Sequence, residues 1–237
     1  MQPSCVVQNH VGQSSMTSDR RWTASHDATK GSAMKLVLME FLSLDGVSQG
    51  PGSPEEDTSD GFTQGGWFVP YLDETFLRIV GNWVSEADAF LFGRHTYEEF
   101  ARAWPEQTDP NDPIATSLNG LPKYVASHSL DKAEWAPTTI LGGDVPAQVE
   151  ELKRQPGREL QVHGSARLGQ SLLAAGLIDE VRLAIAPVIL GHGRKLFREG
   201  GAPAGLRLLH NETTPPGLAI HVYETAGVPQ YGTYGAA

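Results

Sequence analysis

Two short segments carry the residue types that hold phosphate. The first is Leu91-Phe92-Gly93-Arg94-His95-Thr96-Tyr97-Glu98. The apolar run Ala89-Phe90-Leu91-Phe92 ends in a glycine, a basic residue and a hydroxyl follow, and residues 97–103 continue as a helix. Such a strand–turn–helix leaves the opening backbone N–H groups of the helix without partners inside it, at the positive end of the helix dipole. A phosphate can dock there. Gly93 lets the backbone come close, Thr96 adds a hydroxyl, and Arg94 can offer a forked guanidinium to a second phosphate. An ordinary strand–helix turn with a surface arginine would use the same residues. The second segment, Val162-His163-Gly164-Ser165-Ala166-Arg167-Leu168, repeats the arrangement. Two such turns in one parallel sheet can converge on a single ligand, because ligands bind at the carboxyl ends of the strands. Two anion sites suit a dinucleotide pyrophosphate plus a further phosphate. Neither segment is a Gly-x-Gly-x-x-Gly fingerprint, and the chain has no P-loop.

The elements that position these turns follow from hydrophobic patterning. Residues 35–42 read as a buried strand, and Ser43-Leu44-Asp45-Gly46 opens a loop to about Gly66 that is crowded with Gly, Pro, Ser, Asp and Glu. Residues 71–84 read as a helix with Leu72, Phe76, Ile79, Val80 and Val84 on one face. After the first glycine turn and its helix, residues 104–122 read as a second polar loop, and 123–126 as a short strand. Further strands are expected over 138–141, 160–163 and 180–186, with helices over 145–153 and 167–175. Residues 206–212 and 218–224 read as a closing antiparallel pair around Pro215-Pro216-Gly217. Strands alternating with helices imply an α/β domain around a mostly parallel sheet. Residues 1–33 are rich in Ser, Thr, Gln and Asn without a hydrophobic period and read as a disordered tail; residues 34–227 form the domain and 228–237 a short tail.

The composition narrows the partners. The chain has 237 residues, 40% hydrophobic and 19% charged, with a net charge of −10. Its sequence pI is near 5.2. That suits one domain with a full core. An acidic surface argues against nucleic acid and anionic membranes as main partners. Cys5 is the only cysteine, so there is no disulfide framework. No apolar run approaches membrane-spanning length, and the N-terminus lacks the apolar core of a signal peptide; a cytoplasmic protein is the expectation. His95, His192 and His221 show no metal-ligand spacing, and no metal is expected.

Gly93-Arg94-His95-Thr96-Tyr97-Glu98 resembles the NADPH-binding turn of dihydrofolate reductases. The wider pattern resembles the reductase domain of the bifunctional riboflavin-biosynthesis deaminase/reductase and its stand-alone relatives. The matching segments are Ser43-Leu44-Asp45-Gly46, Gly65-Gly66-Trp67, Leu121-Pro122-Lys123-Tyr124-Val125-Ala126-Ser127, His163-Gly164-Ser165, Gly176-Leu177-Ile178-Asp179-Glu180, and Pro187-Val188-Ile189-Leu190-Gly191-His192-Gly193 with Leu196-Phe197. They span about residues 34–224.

The resemblance implies a three-layer α/β/α domain, commonly a homodimer, that uses NADPH. By that match Arg94 contacts the 2′-phosphate or pyrophosphate, and Gly93, His95 and Thr96 belong to the same turn. Ser127 and His128 sit near the adenosine 2′-phosphate, and Gly164, Ser165 and Ala166 present backbone N–H groups to the pyrophosphate. The chain departs from the bifunctional enzyme in two ways. It has no His-x-Glu with a Pro-Cys-x-x-Cys partner, so zinc deamination is excluded. Its loop over residues 47–66 is longer than the segment expected of that enzyme, which sets the riboflavin substrate in question.

Hydride transfer belongs to the nicotinamide, while the protein supplies orientation and a proton. Asp45, just after the first strand, is a candidate proton donor; it is equally a turn residue before Gly46. Asp73 opens the helix over residues 71–84 as a second candidate, or simply favours the helix dipole. Trp67 and Phe68 could cap an aromatic substrate ring or plug the core beneath the long loop. Gly191-His192-Gly193-Arg194-Lys195 is glycine-rich and basic. It could contact a phosphorylated or carboxylated substrate, or form a surface turn anchored by Leu196 and Phe197. The reading is an NADPH-dependent reductase acting on a small heterocyclic or carbonyl substrate. Its rivals are the uracil-type reductase of riboflavin biosynthesis and a non-catalytic dimeric module that binds NADP or a metabolite.

Overall fold

The computed structural model describes residues 32–235. The tail expected over residues 1–33 falls mostly outside them. Its last two residues belong to the fold: Ser32 C=O accepts from Gly157 N–H (3.1 Å), and Ala33 bridges to Pro156.

Eight strands form one sheet in the order β4-β3-β2-β5-β1-β6-β8-β7. They are β1 (Lys35–Ser43), β2 (Ala87–Gly93), β3 (Lys123–Ala126), β4 (Thr138–Leu141), β5 (Glu159–His163), β6 (Glu180–Ala186), β7 (Leu206–Thr213) and β8 (Ala219–Thr225). Strands β1 to β6 pair in parallel, β8 runs antiparallel to β6, and β7 antiparallel to β8. This is the expected mostly parallel sheet with an antiparallel C-terminal hairpin. The β1 side chains alternate between two cores on opposite faces of the sheet: Met39 and Phe41 join one, Leu36, Leu38 and Leu42 the other. A strand buried on both faces reads as a continuous apolar run, as β1 does.

Among the described residues five α-helices cover the faces: α1 (Glu74–Ser85), α2 (Arg94–Ala103), α3 (Pro113–Gly120), α4 (Val145–Lys153) and α5 (Ala166–Ala174). Helix α1 begins later than its apolar period suggests because Asp73 caps it, accepting from Phe76 N–H at 2.8 Å. Leu72 therefore lies outside the helix and is 40% exposed.

Helix α3 corrects the reading of residues 104–122 as loop. Asp112 is its N-cap, accepting from Ile114 and Ala115 N–H, and Pro113 occupies its first turn. At its other end buried Lys123 donates to the carbonyls of Leu118, Asn119 and Leu121 and lies 4.5 Å from the Trp135 ring centroid. Only Ala115 and Leu118 of this helix are buried, too few to mark a hydrophobic face.

The other long segment, residues 47–66, is packed rather than loose. Val47, Gln49, Asp57 and Phe62 are all buried, and the Gln49 side-chain N–H donates to the carbonyl of Ser59. Leu196 is a core residue as expected, but Phe197 is 48% exposed. Among the described residues no helix is long and apolar enough to cross a membrane.

A buried ion triad ties the middle of the sheet together. Arg182 on β6 donates to Glu159 on β5 (2.6 Å) and to Glu180 (2.7 Å), and its guanidinium lies 5.9 Å from the Trp83 ring centroid. Removing one partner of such a cluster leaves uncompensated buried charge, whereas surface ion pairs contribute little. We expect Arg182→Leu to destabilise the protein by roughly 3–5 kcal/mol, read by urea unfolding. A loss below about 1 kcal/mol, the value of a surface pair, would contradict this.

Candidate functional site

The carboxyl ends of β1, β2, β3 and β5 open into one cleft of about 1210 Å³. Strand β5 lies between β1 and β2, so the two glycine turns are neighbours. They are also stitched to each other. Gly93 N–H donates to Ser165 Oγ at 2.9 Å, and Thr96 Oγ1 donates to Gly164 C=O at 2.9 Å. Ser165 Oγ lies 3.0 Å from Thr96 Oγ1 and 2.9 Å from His163 C=O, the acceptors open to its single proton. Gly164 sits at φ +55°, a conformation that glycine adopts without strain, and a Cβ there would meet the Thr96 methyl at 3.4 Å.

The sequence-predicted cofactor residues Gly93, Arg94, His95, Thr96, Ser127, His128, Gly164, Ser165 and Ala166 all line this cleft. Their polar groups are not all available. The Thr96 hydroxyl is spent on Gly164, and Gly164 N–H bonds to Met39 C=O at 3.3 Å. Ser165 N–H faces the Glu40 carboxyl, and Ser127 Oγ accepts from Ser129 and Leu130 N–H. Arg94 reaches from α2 toward the end of β3, where it donates to Ser129 Oγ at 2.9 Å. That bond brings Arg94 beside Ser127 and His128, the grouping expected around a 2′-phosphate. Arg167, in the first turn of α5, adds a second exposed guanidinium to the same end of the cleft.

His95 points elsewhere. Its Nε2 is 3.2 Å from Asp57 Oδ2, and Asp57 also accepts from Arg194 at 2.8 Å. Burial works against ionising Asp57, but the Ser59 and Arg194 hydrogen bonds outweigh it and hold the carboxyl well below the usual range. This cluster fastens the segment over residues 47–66 to α2 and to the turn at Arg194.

Of the predicted catalytic and substrate residues, Phe68 and Arg194 line the cleft, whereas Asp45, Asp73, Trp67, Gly191 and Gly193 sit outside its lining. Asp45 accepts from Ser43 Oγ (2.7 Å), Leu190 N–H (3.1 Å) and Gly191 N–H (2.9 Å). Slight burial opposes ionisation there, but these donors prevail and set its pKa at about 2. A carboxylate held ionised in this way clamps two loops and has no proton to give. Asp73 is the cap of α1. Trp67 is buried behind Phe68, donating to Gln49 C=O at 2.8 Å. Gly191 N–H is bound to Asp45, and Gly193, at φ +125°, packs where a Cβ would come within 2.6 Å of Val47 and 2.9 Å of Phe62. Both glycines serve the scaffold.

Two features of the cleft went unread in the sequence. One is Glu40, which is 1% exposed, lines the cleft from β1, and has no hydrogen-bond partner at Oε1. Burial pushes its carboxyl up to about 8, against the opposing pull of Ser165 N–H. A glutamate inside an otherwise apolar, doubly buried strand was the signal, since unpaired glutamates are almost never fully buried. The other is Phe41, which completes an aromatic wall with Phe68, already a candidate to cap a substrate ring, and Phe76. Phe41 stacks on Phe68 at 4.6 Å and 7°, and Phe76 meets both edge-on. His163 closes the floor in its neutral form. Burial first, and the nearby Arg182 charge second, lower its pKa to about 3, and its Nε2 lies 3.0 Å from Gln161 Oε1.

A mostly parallel sheet with paired helix N-termini at one edge and a C-terminal hairpin defines a dihydrofolate reductase-like fold. The chain belongs to the RibD C-terminal domain family, whose model matches residues 34–220. It is 27% identical over 177 residues to the uncharacterized protein YyaP of Bacillus subtilis (strain 168), covering 72% of this chain and 92% of that one. A second B. subtilis protein, the uncharacterized YwjB, is 26% identical over 191 residues, covering 79% and 96%. Among solved structures, a pyrimidine reductase-like protein of Corynebacterium diphtheriae shares the fold with TM-score 0.54 and 14% identity, covering 81% of this chain and 92% of that one. A diaminohydroxyphosphoribosylaminopyrimidine deaminase/5-amino-6-(5-phosphoribosylamino)uracil reductase of Thermotoga maritima matches with TM-score 0.55 and 13% identity. That match covers 82% of this chain and 57% of the other.

The unusual protonation of Glu40 has a measurable consequence. The folded state keeps the Glu40 proton up to about pH 8, while the unfolded chain releases it above its ordinary value of 4.5. The native protein binds the extra proton between those values, so Glu40 lowers stability as pH rises through that window. Glu40→Gln cannot ionise. We expect its stability relative to wild type to climb between pH 5 and pH 8 by roughly 1–4 kcal/mol, read by urea unfolding at each pH. A difference that stays flat would show that Glu40 is ionised in the fold.

Proposed function

We propose that the protein is an NADPH-dependent reductase that passes a hydride to a small heterocyclic or carbonyl substrate. The observation that carries this reading is the pair of stitched glycine turns, with Arg94 bonded to Ser129 on one side and neutral Glu40 facing Ser165 N–H of the second turn. The residues fit a dinucleotide phosphate: the N-termini of α2 and α5 open on the cleft, and Arg94 and Arg167 stand at that end. With two of the three expected N–H groups on the second turn already spent, these guanidiniums carry more of the anion's charge than the resemblance alone suggests.

NADPH, when bound, would supply the hydride. The chain's own part is to position and to protonate. Glu40 gives its proton to the nitrogen or oxygen of the reduced double bond as the hydride reaches the carbon, and then recovers a proton from solvent. Its raised pKa keeps that proton available at neutral pH. The Phe41–Phe68–Phe76 wall offers a flat apolar surface to the substrate ring. Family membership favours a second reading, a uracil-type reductase of riboflavin biosynthesis. Consumption of NADPH with the phosphoribosylamino-pyrimidine would support it.

Two measurements test the reading. In fluorescence titrations we expect Arg94→Ala to weaken NADPH by roughly 10- to 100-fold, as for loss of charged hydrogen bonds, and to leave NADH nearly unchanged. Equal losses for both would remove Arg94 from the 2′-phosphate. With a turned-over substrate, Glu40→Gln should keep NADPH affinity and lower kcat by about 100-fold or more, and wild-type kcat should fall as pH rises past about 8. An unchanged kcat would take the proton transfer away from Glu40.

A further inference from the structure

The cleft is not uniform, and its two ends differ in charge. At one end stand Arg94, Arg167 and His128, around the helix N-termini. The other end lies between α1, α3 and the second half of α2. There the lining from these helices is apolar except for Glu99, with Leu77 at the mouth, Trp104 just past α2, and Phe41, Phe68 and Leu72 beside them. None of these residues is a cation. The charged side chain among them, Glu99, is acidic and is paired with Arg102, which does not line the cleft. Glu56, another acid of the lining, accepts from Ser53 N–H; burial, the leading influence, raises its pKa. Arg194, the guanidinium nearest the long loop, donates from both terminal nitrogens to Asp57 and Ser59, away from the α1–α3 end, and its Nε is buried without a partner. Leu72 and Leu77 at the mouth are 40% and 47% exposed, apolar surface that a bound ring would cover.

We infer that the substrate is a neutral, planar, largely apolar ring compound without a phosphate or carboxylate group. This rests on the reductase reading for the word substrate, but the preference of the slot for uncharged rings stands on its lining alone. A phosphate or carboxylate placed between α1 and α3 would lose its water and meet no donor cation, which disfavours it strongly. The stacked pair Phe41 and Phe68 presents a flat face that a planar ring can cover.

Quinoxaline and quinoxaline-2-carboxylate differ by one carboxylate and serve as probes. Each is titrated into the full-length protein while tryptophan fluorescence is followed, since Trp104 lines the slot. Quinoxaline should bind at least about tenfold more tightly than its carboxylate. Leu77→Arg places a cation at a half-exposed position that tolerates one, and its melting curve confirms folding. This variant should narrow the gap to about threefold or less by improving the carboxylate. Equal or tighter binding of the carboxylate to wild type, no binding of either probe, or a gap that Leu77→Arg leaves unchanged would overturn the inference. A separate NADPH titration tells the two ideas apart. Ring selectivity without NADPH binding would sink the reductase reading and leave the slot's preference standing, whereas NADPH binding without ring selectivity would do the reverse.

Discussion

The site depends on one contact, the hydrogen bond from Gly93 N–H to Ser165 Oγ. It ties the end of β2 to the end of β5, and with Thr96 to Gly164 it fixes how far apart the N-termini of α2 and α5 can stand. Two helix dipoles pointing at one space repel each other unless something negative lies between them. Here Glu40 and the stitched hydroxyls occupy part of that space. Because Glu40 keeps its proton, the site retains a net positive bias toward the open cleft. An ionised Glu40 would cancel much of it.

A polar line runs beneath this contact through the middle of the sheet. Glu180, Arg182, Glu159, Gln161 and His163 follow one another by hydrogen bonds of 2.6 to 3.1 Å. The Gln161 amide donates to Glu159 and to Trp83 C=O, so its carbonyl is the acceptor facing His163. That assigns the His163 proton to Nε2 and leaves the ring neutral, in agreement with its lowered pKa. The line explains why a sheet otherwise filled with Val, Leu and Ile tolerates five polar residues in its centre: each has partners, and the charges balance to −1 over the triad.

Much of the fold was legible because its elements are periodic. Helix α4 and strand β6 begin and end where the pattern places them, and the two glycine turns meet at one cleft as their sequence repeat suggested. The misses share a physical cause. Helix α3 has caps at both ends but almost no buried face, so hydrophobic period could not reveal it while Asp112-Pro113 could. Asp45, Gly191 and Gly193 have the residue types of a binding loop, yet Gly191 N–H bonds to Asp45 and Gly193 packs against Val47 and Phe62. Spacing alone cannot separate a loop that binds a ligand from one that binds itself. Glu40 was passed over because the residues around it made the strand convincing.

The division of charge along the cleft ties the fold to its chemistry. Every guanidinium that lines it lies either at the helix N-termini or in the Asp57 cluster, and the wall along α1 and α3 is aromatic and aliphatic. A dinucleotide is itself divided in this way, with its phosphates at one end and a nearly neutral ring at the other. A second ring stacked beyond it would meet a largely apolar lining without a cation. Under the proposed reading, hydride transfer would leave a cationic nicotinamide and the proton from Glu40 would leave a carboxylate, so the reduced ring itself would stay neutral at the apolar end. On that reading the neutrality of the product ring would depend on the one acid the sheet keeps protonated.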